Sequence, residues 1–131
     1  MADNGLATVK SAYGVKDTID RLAAHVIAKG MKVFARIDHA QGASQVGLAL
    51  RPTELLIFGN AKGGTPLMQS RQTIGIDLPL KALAFEAADG TVWLCYNDPA
   101  WIAARHGVVG GEVTKAMAAA LAAATDRATS A

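Results

Sequence analysis

Between Val15 and Lys29 the apolar residues return at helical spacing. Val15, Ile19, Leu22, Val26 and Ile27 fall on one stripe with charged residues between them. The segments on either side keep a period of two. In Leu6–Tyr13, Leu6, Thr8 and Lys10 alternate with Ala7, Val9 and Ser11; in Met31–His39, Val33, Ala35 and Ile37 alternate with Phe34, Arg36 and Asp38. This switch of period constrains the fold more than anything else in the chain. One amphipathic helix among alternating strands buries its stripe by lying against a sheet. Lys29 suits the last helical turn, where a cation meets the helix dipole, and Gly30 is a natural stop.

The rest of the chain supplies more strands. Ala40–Leu50 is small and glycine-containing, a loop or short helix, and Pro52 and Thr53 introduce a buried strand ending at Gly59. Arg71–Leu80 reads as an extended crossover. Two further strands meet at Ala88-Asp89-Gly90, a hairpin signal because glycine supplies the positive φ of a tight turn. Asp98 can cap, and Pro99 open, a helix that stops at Gly107. An alanine-rich helix from about 111 to 127 aligns Val113, Met117, Leu121 and Ala124. The expected class is α+β: a curved, mainly antiparallel sheet, one long helix packed on it, and additional C-terminal helices. No repeat or change of composition divides residues 1–131, so one domain is expected. Only 5% of residues are aromatic, so the core rests on Ala, Val, Leu and Ile.

Composition narrows function by exclusion. The 13 basic and 11 acidic residues are scattered and leave a net charge of +2, without the basic patch that nucleic acid requires. The longest alanine-rich apolar run, Ala116–Ala124, is far shorter than the ~20 residues of a membrane span. The start shows no basic, apolar and cleavage-site succession. Cys95, alone between Leu94 and Tyr96, reads as an inert thiol in a reducing compartment. A cytoplasmic protein is expected.

The stretches "FARIDHAQGA", "LRPTELLIFGN", "GTPLMQ", "IGIDLPLKAL" and "CYNDPAWIAARH" resemble, in order and spacing, the signatures of the family catalogued as domain of unknown function 302. The resemblance covers about Val9 to Val108. It implies a TATA-binding-protein-like α+β fold and a tendency to form dimers, and it implies no activity. Ala61 departs from the family pattern, which has proline after Gly-Asn, and the tail after Gly110 lies outside the pattern.

Several stretches could carry chemistry. Leu55–Met68 looks like a strand, a glycine-rich loop and a helix. A nucleotide loop reads G-x-x-x-x-G-K-[ST]; Gly59 and Gly64 have that spacing, but the lysine is Lys62, inside the loop. Thr65 and Pro66 then read as N-cap and first helical residue. What survives is a smaller anion site, a carboxylate or phosphate held by Asn60 and the amides of Gly63, Gly64 and Thr65.

"RIDHA" places Arg36, Asp38 and His39 at a strand end. There Asp38 could orient His39 as a general base, with Tyr96 assisting, or Arg36 and Asp38 could simply pair. Lys81 is a further anion-binding candidate. His39 or His106 with Met68 could ligate haem iron or another metal. His106 also suits a helix C-terminus without any function, and His25 reads as solvent-facing. No H-E-x-x-H or G-x-S-x-G motif occurs.

Three functions follow. The leading one is a dimeric module whose cleft holds a small anionic or partly apolar ligand between Arg36, Asp38 and His39 on one side and Gly63–Thr65 on the other. The second is a haem- or metal-dependent enzyme using His39 or His106. The third is an interaction subunit that dimerises through the C-terminal helix.

Overall fold

A computed structural model of the chain describes residues 4–108 and 111–131. The first residues of the start read for a leader, and Gly110 at the head of the alanine-rich tail, lie outside these. The elements run β1 (Leu6–Ser11), α1 (Val15–Ala28), β2 (Lys32–Asp38), α2 (His39–Gln45), β3 (Thr53–Gly59), α3 (Ala61–Ser70), a 3-10 turn (Gln72–Asp77), β4 (Leu80–Glu86), β5 (Val92–Asn97), α4 (Pro99–Arg105) and α5 (Glu112–Thr129). The class is α+β, as the periodicities predict.

The five strands form one antiparallel sheet in the order β1-β5-β4-β3-β2. Because β1 and β2 occupy opposite edges, α1, which joins them, must cross the whole face. It does so with the stripe read from the sequence: Val15, Ile19, Leu22 and Val26 are buried against Leu56, Phe58, Ala82, Ala84 and Leu94. Ile27 belongs to the stripe by spacing but stays 58% exposed, one position beyond the sheet's reach. Gly30, at φ +84°, turns the chain from α1 into β2.

Alternation in β3 and β4 separates two faces. Leu56, Phe58, Ala82 and Ala84 are buried under α1, while Leu55, Ile57, Leu83 and Phe85 are half-buried on the opposite face. The hairpin turns at Gly90, φ +86°, with Asp89 Oδ1 accepting from Thr91 N. Asp98 caps α4 by accepting from Ala100 N, and Pro99 is the first residue of that helix.

The structure departs from the sequence reading in four places. Thr65 and Pro66 do not begin a helix. α3 starts at Ala61, capped by Asn60, whose side chain accepts from Gly63 N at 2.7 Å. Arg71–Leu80 is not extended, since Gln72–Asp77 winds into the 3-10 turn. In β2 the pairing register shifts between Val33 and Ala35, so Phe34 bulges and Val33 packs on the core while Arg36 lies opposite Leu56. Finally, the C-terminal stripe is used inside the chain: Leu121, Ala124 and Ala128 join the core beside α1, and Met117 packs on it. That face is not available for pairing two chains.

Candidate functional site

A cleft of about 900 Å³ lies at one end of the sheet. Its walls come from the C-terminal end of α1, the starts of β2 and α3, the end of β3, the segment leading into β4, and α5. The cleft exists because α5 turns alanines toward it. Ala116, Ala119, Ala120 and Ala123 are too short to fill the space between α5 and α3. Phe34, Phe58, Leu78, Met31, Met68 and Met117 make the remaining wall apolar. These are all of the chain's methionines after Met1, and their unbranched side chains adapt to a ligand's shape.

The polar side chains on the cleft are basic or neutral. His25, Lys29 and Lys62 are basic, Asn60 and Thr65 are neutral, and no Asp or Glu is among the lining residues. Burial, and behind it the cations of Lys29 and Arg127, pushes the His25 imidazole below its ordinary value. A neutral ring among cations is ready to be protonated when an anion arrives.

The sequence-derived residues divide between the cleft and elsewhere. Asn60, Gly63, Gly64 and Thr65 line it, with Met68. Their amides are not free as expected: Gly63 N donates to the Asn60 side chain, and Gly64 N donates to Asn60 O. These groups close the first turn of α3.

Arg36, Asp38, His39 and Lys81 are not on the cleft. Antiparallel pairing is the reason. Lys32, at the start of β2, lies opposite Gly59, whereas Asp38 lies opposite Glu54. Asp38 and His39 are therefore a whole strand away from α3, on the order of 20 Å at strand rise. His39 is thus not among the residues lining the cleft that Gly64 borders.

The "RIDHA" residues have structural partners instead. Arg36 bonds Asp20 at 2.6 Å and Glu54 at 2.8 Å rather than pairing with Asp38. Its guanidinium, followed by Lys16, holds the Asp20 carboxyl below the usual range. Asp38 accepts from Gln41 N at 2.9 Å and caps α2, and His39 is the exposed first residue of that helix. Tyr96, on β5, is separated from β2 by two intervening strands and packs against the core, so it assists nothing at His39. Lys81 Nζ donates to Asp77 O and Pro79 O.

The haem pairings fail on the same geometry. Met68 lines the cleft, while His39 and His106 do not, and both ring nitrogens of His106 are engaged by Thr73 and Asp77. Among the described residues no group of three or more His, Cys, Asp or Glu side chains could hold a metal ion. Cys95 is half-buried, and burial pushes its thiol up, the opposite of what a nucleophile requires. His25 and Lys29 are the residues that sequence reasoning passed over. Their signal was modest: a histidine and a lysine four positions apart at a helix end, one residue before the turn into β2.

Comparison with known proteins adds three findings. The family described as "Domain of unknown function DUF302" matches residues 7–124, which carries the likeness past Val108 and through much of α5. A crystal structure of an uncharacterized conserved protein DUF302 from Bacillus stearothermophilus superposes with a TM-score of 0.82, covering 95% of this chain and 98% of that one at 21% identity. Two curated relatives are each 57% identical over 104 residues, 79% of this chain. They are "Fluoride-specific ion channel FluC 1" of Brucella suis biovar 1 (strain 1330), matched over 41% of its length, and "Fluoride-specific ion channel FluC 2" of Brucella melitensis biotype 1, matched over 38%. The chain thus spans about two-fifths of the relatives it matches.

Proposed function

The chain belongs to the family described as domain of unknown function DUF302, and because that description carries no activity we propose its function from the cleft: it binds a small ligand with an apolar body and an anionic head. One observation carries this reading. A cleft with apolar walls is lined by His25, Lys29 and Lys62 and by no carboxylate. An apolar body gains from leaving water in proportion to its buried area, about 25 cal/mol per Å². The cations select the sign of the head group and repel a cationic one.

The test uses decanoate, decanol and decyltrimethylammonium, which share one chain and differ in head charge. Calorimetry on the full chain should rank decanoate first and the ammonium last. Ala120→Leu should abolish binding while leaving the melting temperature unchanged or raised, because the added carbons occupy the cleft. Equal affinity for all three heads, or full binding by Ala120→Leu, would overturn the proposal.

A second reading concerns context. No helix among the described residues is long and apolar enough to cross a membrane, while the relatives, named as ion channels, are more than twice as long as the matched segment. This supports a role for the matched segment as a binding module appended to a channel rather than as its conduit. In that case sodium fluoride and sodium chloride at equal ionic strength should shift the melting temperature equally. A fluoride-specific shift would contradict it.

The dimer implied by the family likeness has a candidate surface in the sheet face opposite α1. Leu55, Ile57, Leu83, Phe85 and Trp93 are half-buried there, and among the residues of β3 and β4 facing that way only Lys81 is charged. A two-fold interface pairs a patch with itself, which an almost uncharged patch permits without repulsion. Sedimentation of Leu83→Lys should then give a monomer that still binds decanoate.

A further inference from the structure

We propose that Thr73, His106 and Asp77 form a second site, separate from the cleft, in which the Thr73 hydroxyl is an activated nucleophile for acyl transfer from an ester. Two segments build it. Thr73 and Asp77 stand four residues apart in the 3-10 turn, and His106 caps the C-terminal end of α4. His106 Nδ1 lies 3.0 Å from Thr73 Oγ1, and His106 Nε2 lies 2.6 Å from Asp77 Oδ2. The imidazole and the carboxylate are buried, with side chains 8% and 14% exposed, whereas Thr73 is exposed. The base is thus screened from water and the hydroxyl is reachable.

The hydrogen-bond pattern sets the protons. Arg105 Nη1 lies 3.0 Å from each oxygen of Asp77 and donates to both, so the carboxyl group is used as an acceptor. An ionised carboxylate only accepts, so Nε2 carries the imidazole proton and donates it to Asp77. In the neutral imidazole that leaves Nδ1 as the acceptor for the Thr73 O–H. This is the order that activates a hydroxyl: nucleophile, general base, orienting carboxylate. A tie between α4 and the turn would need only the His106–Asp77 bond. The alignment of an exposed hydroxyl on the remaining nitrogen is additional to that tie.

A cation completes the arrangement. The Arg71 guanidinium reaches within 4 Å of where a Cβ would stand on Gly107, the neighbour of His106. Arg71 is exposed, and no carboxylate among the described residues pairs with it. It can stabilise the oxyanion that forms when the carbonyl is attacked.

In the reaction, Thr73 Oγ bonds to the ester carbonyl carbon and its proton passes to His106 Nδ1. The ester C–O bond breaks, and the alcohol leaves with that proton. Water then attacks the acyl-threonine by the same route, releasing the acid and restoring Thr73. Asp77 is a positioning residue that holds the imidazole through both steps.

The experiment incubates the full chain with p-nitrophenyl acetate, follows nitrophenolate release, and maps the acetylated residue by peptide mass spectrometry. The expected result is acetyl on Thr73 and a release rate that falls about a hundredfold in Thr73→Val and in His106→Gln, the scale of one general base. His39→Ala, at the far end of β2, should release at the wild-type rate. If His106→Gln loses its circular dichroism spectrum, Thr73→Val alone decides, since the exposed hydroxyl is not needed for folding. Acetyl found only on lysines, or release unchanged in Thr73→Val, would overturn the proposal.

Discussion

His25 shows how one residue can report on a whole site. Its imidazole is held below the ordinary value by burial first and by Lys29 and Arg127 after it. The folded chain therefore binds fewer protons there than the unfolded chain, so this group's contribution to stability is present above the unfolded value, near pH 6.5, and is lost as pH falls from there through the lower folded value. A bound anion reverses the penalty, because protonation then gains a partner. Decanoate affinity should accordingly rise as pH falls below about 6.5, and His25→Gln should flatten that rise; titration of the ring by NMR with and without ligand checks both. Gly5 offers a second prediction at this scale. It is buried at φ +81°, and a Cβ added there would lie 2.4 Å from the Trp101 ring. Gly5→Ala combines backbone strain with a clash, and chemical denaturation should show a loss of about 2 kcal/mol or more.

Among the elements, α3 was the hardest to read and matters most to the cleft. Thr65-Pro66 carries the signature of a helix start, yet Asn60 wins because its carboxamide reaches Gly63 N while its own backbone remains extended at φ −144°. Pro66 is tolerated inside the helix at the cost of the bond its N–H would give to Lys62 O. Glycines at positions 63 and 64 weaken this first turn further. The cap should therefore be decisive. Asn60→Ala is expected to cost about 1 kcal/mol of stability, and to weaken decanoate binding as well, because fraying α3 removes Lys62 and Thr65 from the cleft wall; hydrogen exchange at Gly63 and Gly64 would show the opened turn. The bulge at Phe34 was similarly hidden. Alternation counts residues, and a bulge adds one without changing composition, so Val33 and Arg36, which a strict period of two assigns to opposite faces, come to lie on the same one, opposite Phe58 and Leu56.

For the whole molecule, what periodicity could show was the existence and kind of the long elements: α1, the strands around it, the hairpin at Gly90 and the capped helix after Asp98. What it could not show was which strand ends meet. The site depends on that, since the order β1-β5-β4-β3-β2 and the antiparallel register carry His39 away from α3 and bring the end of α1 toward it. The same global packing decides the role of α5. Read alone, its narrow stripe could pair two chains. In the fold Leu121, Ala124 and Ala128 lie in the core with Val15, Ile19, Leu22 and Val26. Backbone and side-chain bonds fasten it there, Ala12 N donating to Thr129 O and Arg21 Nη2 to Arg127 O. Removing residues 111–131 would uncover the side of α1 that α5 packs against and forfeit on the order of 5 kcal/mol of apolar burial, comparable with the whole stability of a small domain. The truncated chain should therefore lack cooperative thermal unfolding and bind the dye anilinonaphthalene sulfonate as a loosened core does. A truncated chain that melts cooperatively near the intact temperature would mean that α1 holds its place on the sheet without α5.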